Sequence, residues 1–135
     1  MKFRSNIRKA FETRLVNWAK TKSIPVAVEN IKLIPPSTAY LSCFLLAGQT
    51  TNTSVLYDTG KAVGVFQVDV HYPINTGSSG IELLAKEISD LFPDGLILPI
   101  DLTSNVRVTT PVDAREAVAG SSHLTLSLSI YYSTI

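Results

Sequence analysis

Two histidines, one cysteine and a glycine–serine turn are the places where this chain has the residue types to do chemistry. Hydrolysis by a Ser/His/Asp or Cys/His set needs a base within reach of its nucleophile. His71 falls on the polar side of an alternating segment, and His123 opens the last one. No Gly-x-Ser-x-Gly leads into a helix, so a triad would need an unmarked tertiary coincidence. The histidines are far apart in sequence, with no His-x-x-x-His or Asp-x-Asp spacing to hold a metal. Asp69 and His71 share a strand face and would make at most one weak ligand pair; an exposed polar edge is the simpler reading. Cys43 is the single cysteine, which excludes an intramolecular disulfide and a Cys-rich metal site. Lying between Ser42 and Phe44 in an apolar run, it reads as a small buried hydrophobe rather than a nucleophile. Thr76-Gly77-Ser78-Ser79-Gly80 precedes a helical pattern, where an anion can bind. It lacks the Gly-Lys-Ser/Thr of a P-loop and a spaced Gly-x-Gly-x-x-Gly, so it reads as a flexible turn plus a cap. These residues predict no enzyme, no cofactor and no metal.

The elements that would position them are clearer. Ile7, Phe11, Leu15 and Trp18 recur at three- and four-residue steps and predict a helix over 5–21, with basic residues opposite the apolar stripe. Ser5 or Asn6 would cap its start, and Pro25 keeps it from running on. Val26-Ala27-Val28 is a short extended piece, and Pro35-Pro36 excludes helix or central strand there. Residues 39–46 form a continuous apolar strand. Phe66, Val68, Val70 and Tyr72 alternate with Gln67, Asp69 and His71 in a strand over 64–73 with one buried side. The Ser79-x-x-Glu82 pattern predicts a capping box for a second helix, whose apolar residues are 81, 84, 85, 88, 91 and 92. Pro93-Asp94-Gly95 ends it. Short strands follow at 96–100 and 106–110, and 111–120 reads as a polar loop around Asp113, Arg115 and Glu116. In the last strand Leu124, Leu126, Leu128, Ile130 and Tyr132 alternate with Thr125, Ser127, Ser129, Tyr131 and Ser133. Its second face carries hydroxyls, which a partner can cover at lower desolvation cost than ions.

This order predicts an α+β domain over 1–135: a mostly antiparallel sheet with two helices packed on one face. The polar stretch 48–61 joins two strongly patterned strands. It reads as an extended hairpin tip or arm, poorly ordered in an isolated subunit.

The 135 residues suit one domain that needs no staples. No apolar run approaches a membrane span, and the basic N-terminus lacks the apolar core of a secretory signal. Without such a signal, Asn52-Thr53-Ser54 carries little weight as a glycosylation acceptor. Charge is unevenly divided. Residues 1–22 hold seven basic side chains against Glu12, a net of +6, while the remainder holds five against ten, a net of −5. The basic end therefore suits contact with something acidic: nucleic acid, a neighbouring subunit, or the rest of the same chain. A solvated helix face is the plainer alternative. Phe11 and Trp18 lie on the apolar stripe, so sequence readout of DNA is not indicated.

Taken in order, several features resemble the phage tail terminator-like (tail completion) proteins of long-tailed phages. They are the first helix ending near Trp18-Ala19, Pro25-Val26-Ala27-Val28-Glu29-Asn30, Pro35-Pro36 and Ala39-Tyr40-Leu41. Gly64-Val-Phe-Gln-Val-Asp-Val follows, then Pro73 and Gly77 before a helix with Ala85, Ile88 and Phe92, and a last strand ending Ile130-Tyr131-Tyr132. Val28 departs from the pattern, standing where a bulky aromatic is expected. The resemblance implies a structural virion protein that forms a ring, commonly of six subunits, on the head-proximal end of the tail tube. Its implied partners are itself, the tail tube protein and the head–tail connector protein, with DNA passing through. Assembly would take place in the bacterial cytoplasm. A head-to-tail connector is the alternative role, and a small unrelated binding domain or hydrolase the alternative from another class. A closed ring needs two different complementary patches on each subunit. Candidates are Gln49, Asn52, Val55, Tyr57 and Asp58 of the long loop, Ser127, Ser129 and Tyr131 of the last strand, and the basic first helix against an acidic neighbour. Arg107 and Arg115 are candidates for contact with DNA in the lumen.

Overall fold

The structure is a computed structural model that describes residues 2–29, 33–47, 62–75 and 77–135. The loop 48–61, with Gln49, Asn52, Val55, Tyr57, Asp58 and its expected disorder, lies outside the described residues.

Helix α1 (Lys2–Thr21) buries Ile7, Phe11, Leu15 and Ala19, a stripe at four-residue spacing. Its end is a Schellman turn. Ile24 N–H donates to Ala19 O at 3.0 Å and Ser23 N–H to Lys20 O at 3.2 Å, with Ser23 left-handed at φ 57°. Helix α2 (Ser79–Leu91) buries Ile81, Ala85 and Ile88. The expected capping box does not form. The cap is Ser78, which sits at φ −100° and ψ −11° and makes no side-chain cap hydrogen bond. A cap side chain reaches back to the first turn from extended backbone, and Ser78 is not extended.

The strands are β1 (Val26–Ala27), β2 (Tyr40–Ala47), β3 (Val63–Pro73), β4 (Ile97–Pro99), β5 (Asn105–Val108), β6 (Asp113–Ala114), β7 (Val118–Ala119) and β8 (His123–Thr134). They form one sheet in the order β1-β2-β3-β8-β5-β4. Every pairing is antiparallel except β1 with β2. The expected α+β architecture, mostly antiparallel with both helices on one face, is what the chain adopts.

One segment differs. Residues 111–120 do not form a plain loop: β6 and β7 lie along β8, pairing Asp113 with Ser129 and Val118 with Thr125. The cause is length. β8 spans 12 residues, and β5 pairs only with its last rungs, Tyr132 to Thr134. The remaining backbone groups of β8 need partners, and the returning chain supplies them.

Leu41, Cys43 and Leu45 of β2, Phe66, Val68 and Val70 of β3, and Leu126, Leu128, Ile130 and Tyr132 of β8 face the helices and are buried. Phe11 is the centre of this core, with ring centroids 5.1 Å from Phe66, 5.8 Å from Phe92 and 5.5 Å from Tyr132. Gly64 permits that packing. A Cβ there would lie 2.5 Å from both the Leu46 carbonyl oxygen and the Tyr132 hydroxyl, so only glycine lets the Tyr132 ring cover the strand.

Candidate functional site

The helices cover one face of the sheet, and strand alternation puts a second set of side chains on the other. Registers align this set in rows. Tyr40, His71 and Thr125 form one row, then Ser42, Asp69 and Ser127, then Phe44, Gln67 and Ser129, then Leu46, Val65 and Tyr131. The open face therefore grades from polar and aromatic at one end to apolar at the other.

At the polar end His71 is held on three sides. Its Nε2 lies 3.0 Å from Ser42 Oγ, its Nδ1 3.0 Å from Thr125 Oγ1, and its ring stacks on Tyr40 at 4.3 Å. His123 meets the same tyrosine edge-on at 5.2 Å. Folding thus brings the two histidines to one ring, which their separation in sequence does not suggest. Ser42 and His71 have the spacing of a nucleophile and its base. The position that should hold an orienting carboxylate holds the Thr125 hydroxyl, which cannot stabilise an imidazolium by charge. Asp69 shares the face, but its Oδ1 accepts from Gln67 Nε2 at 3.0 Å. Burial holds the His71 pKa below its ordinary value, with Asp69 opposing and His123 adding to the shift. This cluster braces three strands. Among the described residues no group of three or more His, Cys, Asp or Glu side chains is placed to hold a metal. Cys43 is buried as expected, and burial, with smaller effects from Glu12 and Glu29, pushes its thiol up to about 12.

At the apolar end Leu46, Val63 and Tyr131 are 45%, 39% and 39% exposed. Val63, Val65, Thr109, Tyr131 and Ser133 line a shallow groove of about 310 Å³. Arg107 is exposed beside it, paired in register with Ser133. A larger open groove of about 810 Å³ lies on the helix side, lined by Lys9, Arg14 and Trp18 of α1 and by Leu98 and Ile100 at β4.

The β4–β5 hairpin forms the far edge of the sheet. Asp101 Oδ1 accepts from Thr103 N–H and Ser104 N–H, both at 2.7 Å, and from the Thr103 hydroxyl at 3.2 Å. These bonds, the Thr103 backbone N–H foremost, hold the Asp101 carboxyl below its ordinary pKa. Leu102, at the tip, is 104% exposed.

An open face graded from polar to apolar is a surface that another protein can cover. The sequence profile of a family described as phage tail terminator protein matches residues 6–132. This chain belongs to the phage tail terminator family. It is a structural protein of the phage tail and so a component of the virion. A solved structure superposes with a TM-score of 0.83 at 36% identity, over 97% of this chain and 94% of that one. No curated protein matches. No described helix of this tail terminator is long and apolar enough to cross a membrane.

The expected site residues that lie among the described residues of the terminator, Arg107, Arg115, Ser127, Ser129 and Tyr131, are spread over the fold. Ser127, Ser129 and Tyr131 share the open face, but Ser129 is buried, with Gln67 on one side in register and Asp113 on the other. Arg107 and Arg115 are both exposed, on different strands' margins of β8. Part of the basic α1 surface is used inside the chain. Arg8 approaches Glu12 at 4.0 Å and Glu29 at 3.7 Å. Arg14 Nε donates to Leu91 O at 2.7 Å, at the negative end of α2, and Lys22, just beyond α1, meets Glu87 at 2.7 Å. Sequence reasoning missed Leu102 and the apolar end of the open face at Leu46, Val63 and Val65. Asp101-Leu102-Thr103-Ser104 does carry the signature of an Asx turn, which marks the tip if not its role.

Proposed function

We propose that this terminator closes into a ring on the head-proximal end of the tail tube, ends tube growth there, and offers its other surface to the head connector. Family membership over residues 6–132 is the observation that carries this reading. The open sheet face supports it, because Leu46, Val63 and Tyr131 are apolar side chains left partly exposed that a neighbour would bury. A ring also needs unlike patches on each subunit, and the graded open face and the two-helix face are unlike. The subunit would assemble in the cytoplasm of the bacterial host, with DNA passing through the lumen. Arg115 is an exposed cation proposed to face phosphate, while Arg107 stands beside the sheet-face groove, where a neighbouring subunit would meet it.

Negative-stain imaging of the purified protein mixed with tail tubes tests this. The expected result is a ring-shaped density at one end of each tube and no further elongation when tube protein is added. Tubes that keep growing, with the chain remaining monomeric, would refute the terminator role. Rings that bind connectors and ignore tubes would assign the chain to the connector instead.

A further inference from the structure

We infer that Leu102 is a knob by which one copy of this chain seats on the next, its socket being the groove between Val63, Val65 and Tyr131 on the neighbour's open sheet face. The inference rests on the ring reading above and names its contact.

Leu102 contributes almost nothing to the fold of its own subunit, being fully exposed. The turn beneath it is nevertheless stiff, because the Asp101 carboxylate fixes Thr103 and Ser104 through short bonds. A large apolar side chain on a pre-organised turn loses little freedom on docking. The groove has the matching character: valine and tyrosine side chains around about 310 Å³ of open space. Charge fits as well. Asp101 precedes the knob and Arg107 flanks the socket, and neither makes an ion pair with a described residue of its own chain. Seating Leu102 in a neighbour's groove brings Asp101 of one copy towards Arg107 of the other. Knob and socket lie on different parts of the subunit, so the contact is heterologous, and repeating it round a closed ring leaves neither bare. A leucine alone does not make an interface of about 1,200–2,000 Å²; it is the buried anchor within a larger contact.

Disulfide trapping tests the pairing, since the only native cysteine is buried. The double variant Leu102→Cys/Val63→Cys, oxidised on tail tubes, should give a ladder of linked species that stops at the closed ring. Each single variant should give no ladder. Normal capping of tubes by the double variant without a ladder would overturn the contact, and a product that stops at dimers would replace it with a two-fold pairing. A second variant, Leu102→Asp, changes a side chain that the fold does not use and should melt like wild type. It should weaken self-association about 10- to 100-fold, the equivalent of exposing one buried leucine. Unchanged association overturns the knob. If wild-type protein neither self-associates nor caps tubes, the ring reading itself fails; if it does both while these variants match it, only this contact fails.

Discussion

His71 shows how little of a side chain's role lies in its type. Two hydroxyls, a tyrosine ring and two neighbouring strands take up its polar atoms and one of its faces. Ser42 and Thr125 can each donate or accept, so hydrogen bonding is satisfied whether the ring is neutral or charged. What disfavours the charge is burial, with Asp69 working against it and His123, edge-on to the same tyrosine, adding to it. Because the folded pKa lies below the unfolded value of about 6.5, the unfolded chain takes up a proton more readily. The stability this contributes is complete above that value and is lost as pH falls through the folded pKa. A His71→Asn variant should therefore show a flatter dependence of Tm on pH just below 6.5, with the carboxylate-driven loss at lower pH unchanged. Thermal melts at closely spaced pH values check this, and parallel curves for the two proteins would show that His71 does not titrate differently on folding.

At the scale of elements, the end of α1 carries a conformational cost that the pattern of hydrophobic residues does not reveal. Ser23 occupies the left-handed position of a Schellman turn, where glycine is usual and a side chain is strained. Ser23→Gly should raise stability by about 1 kcal/mol, or roughly 3 °C in Tm. Differential scanning calorimetry measures it, and a lower Tm would mean that the serine side chain has a compensating contact. The amphipathic elements were legible because one physical signal governs them. The four-residue stripe of Ile7, Phe11 and Leu15, and the alternation from Phe66 to Val70 and from Leu124 to Tyr132, each report a single buried face. β6 and β7 were not legible, because their two-residue pairings answer the unpaired edge of β8 rather than any preference of Asp113 or Val118. The cap at Ser78 was missed for a related reason. Ser78 and Ser79 offer the same chemistry, and only the backbone angles choose between them. The open face was half legible: its hydroxyls follow from alternation, while the Leu46–Val65–Tyr131 row exists only once β2, β3 and β8 are in register.

For the whole molecule, the division of charge resolves into two parts. Arg8, Arg14 and Lys22 tie the N-terminal segment to Glu12, Glu29, Glu87 and the end of α2, so some of the positive charge of residues 1–22 is spent within the chain. Lys9, beside the larger groove, is one cation left for a partner. The described strands on either side of residues 48–61 are held independently of them. β2 and β3 are already paired at Ala47 and Gly64, and Ala62 N–H is anchored on Thr134 Oγ1 at 2.9 Å. Deleting residues 50–59 leaves six residues, Gly48, Gln49, Gly60, Lys61, Ala62 and Val63, to turn the chain between the paired Ala47 and Gly64. A shorter closure lowers the entropy cost by about 1 kcal/mol, so the deletion should match or exceed wild type in Tm. If Asn52, Val55, Tyr57 and Asp58 dock the subunit, the same protein should fail to cap tail tubes in a co-sedimentation assay. Equal stability with normal capping would remove the loop from the interface and leave the sheet face and the hairpin tip to carry assembly.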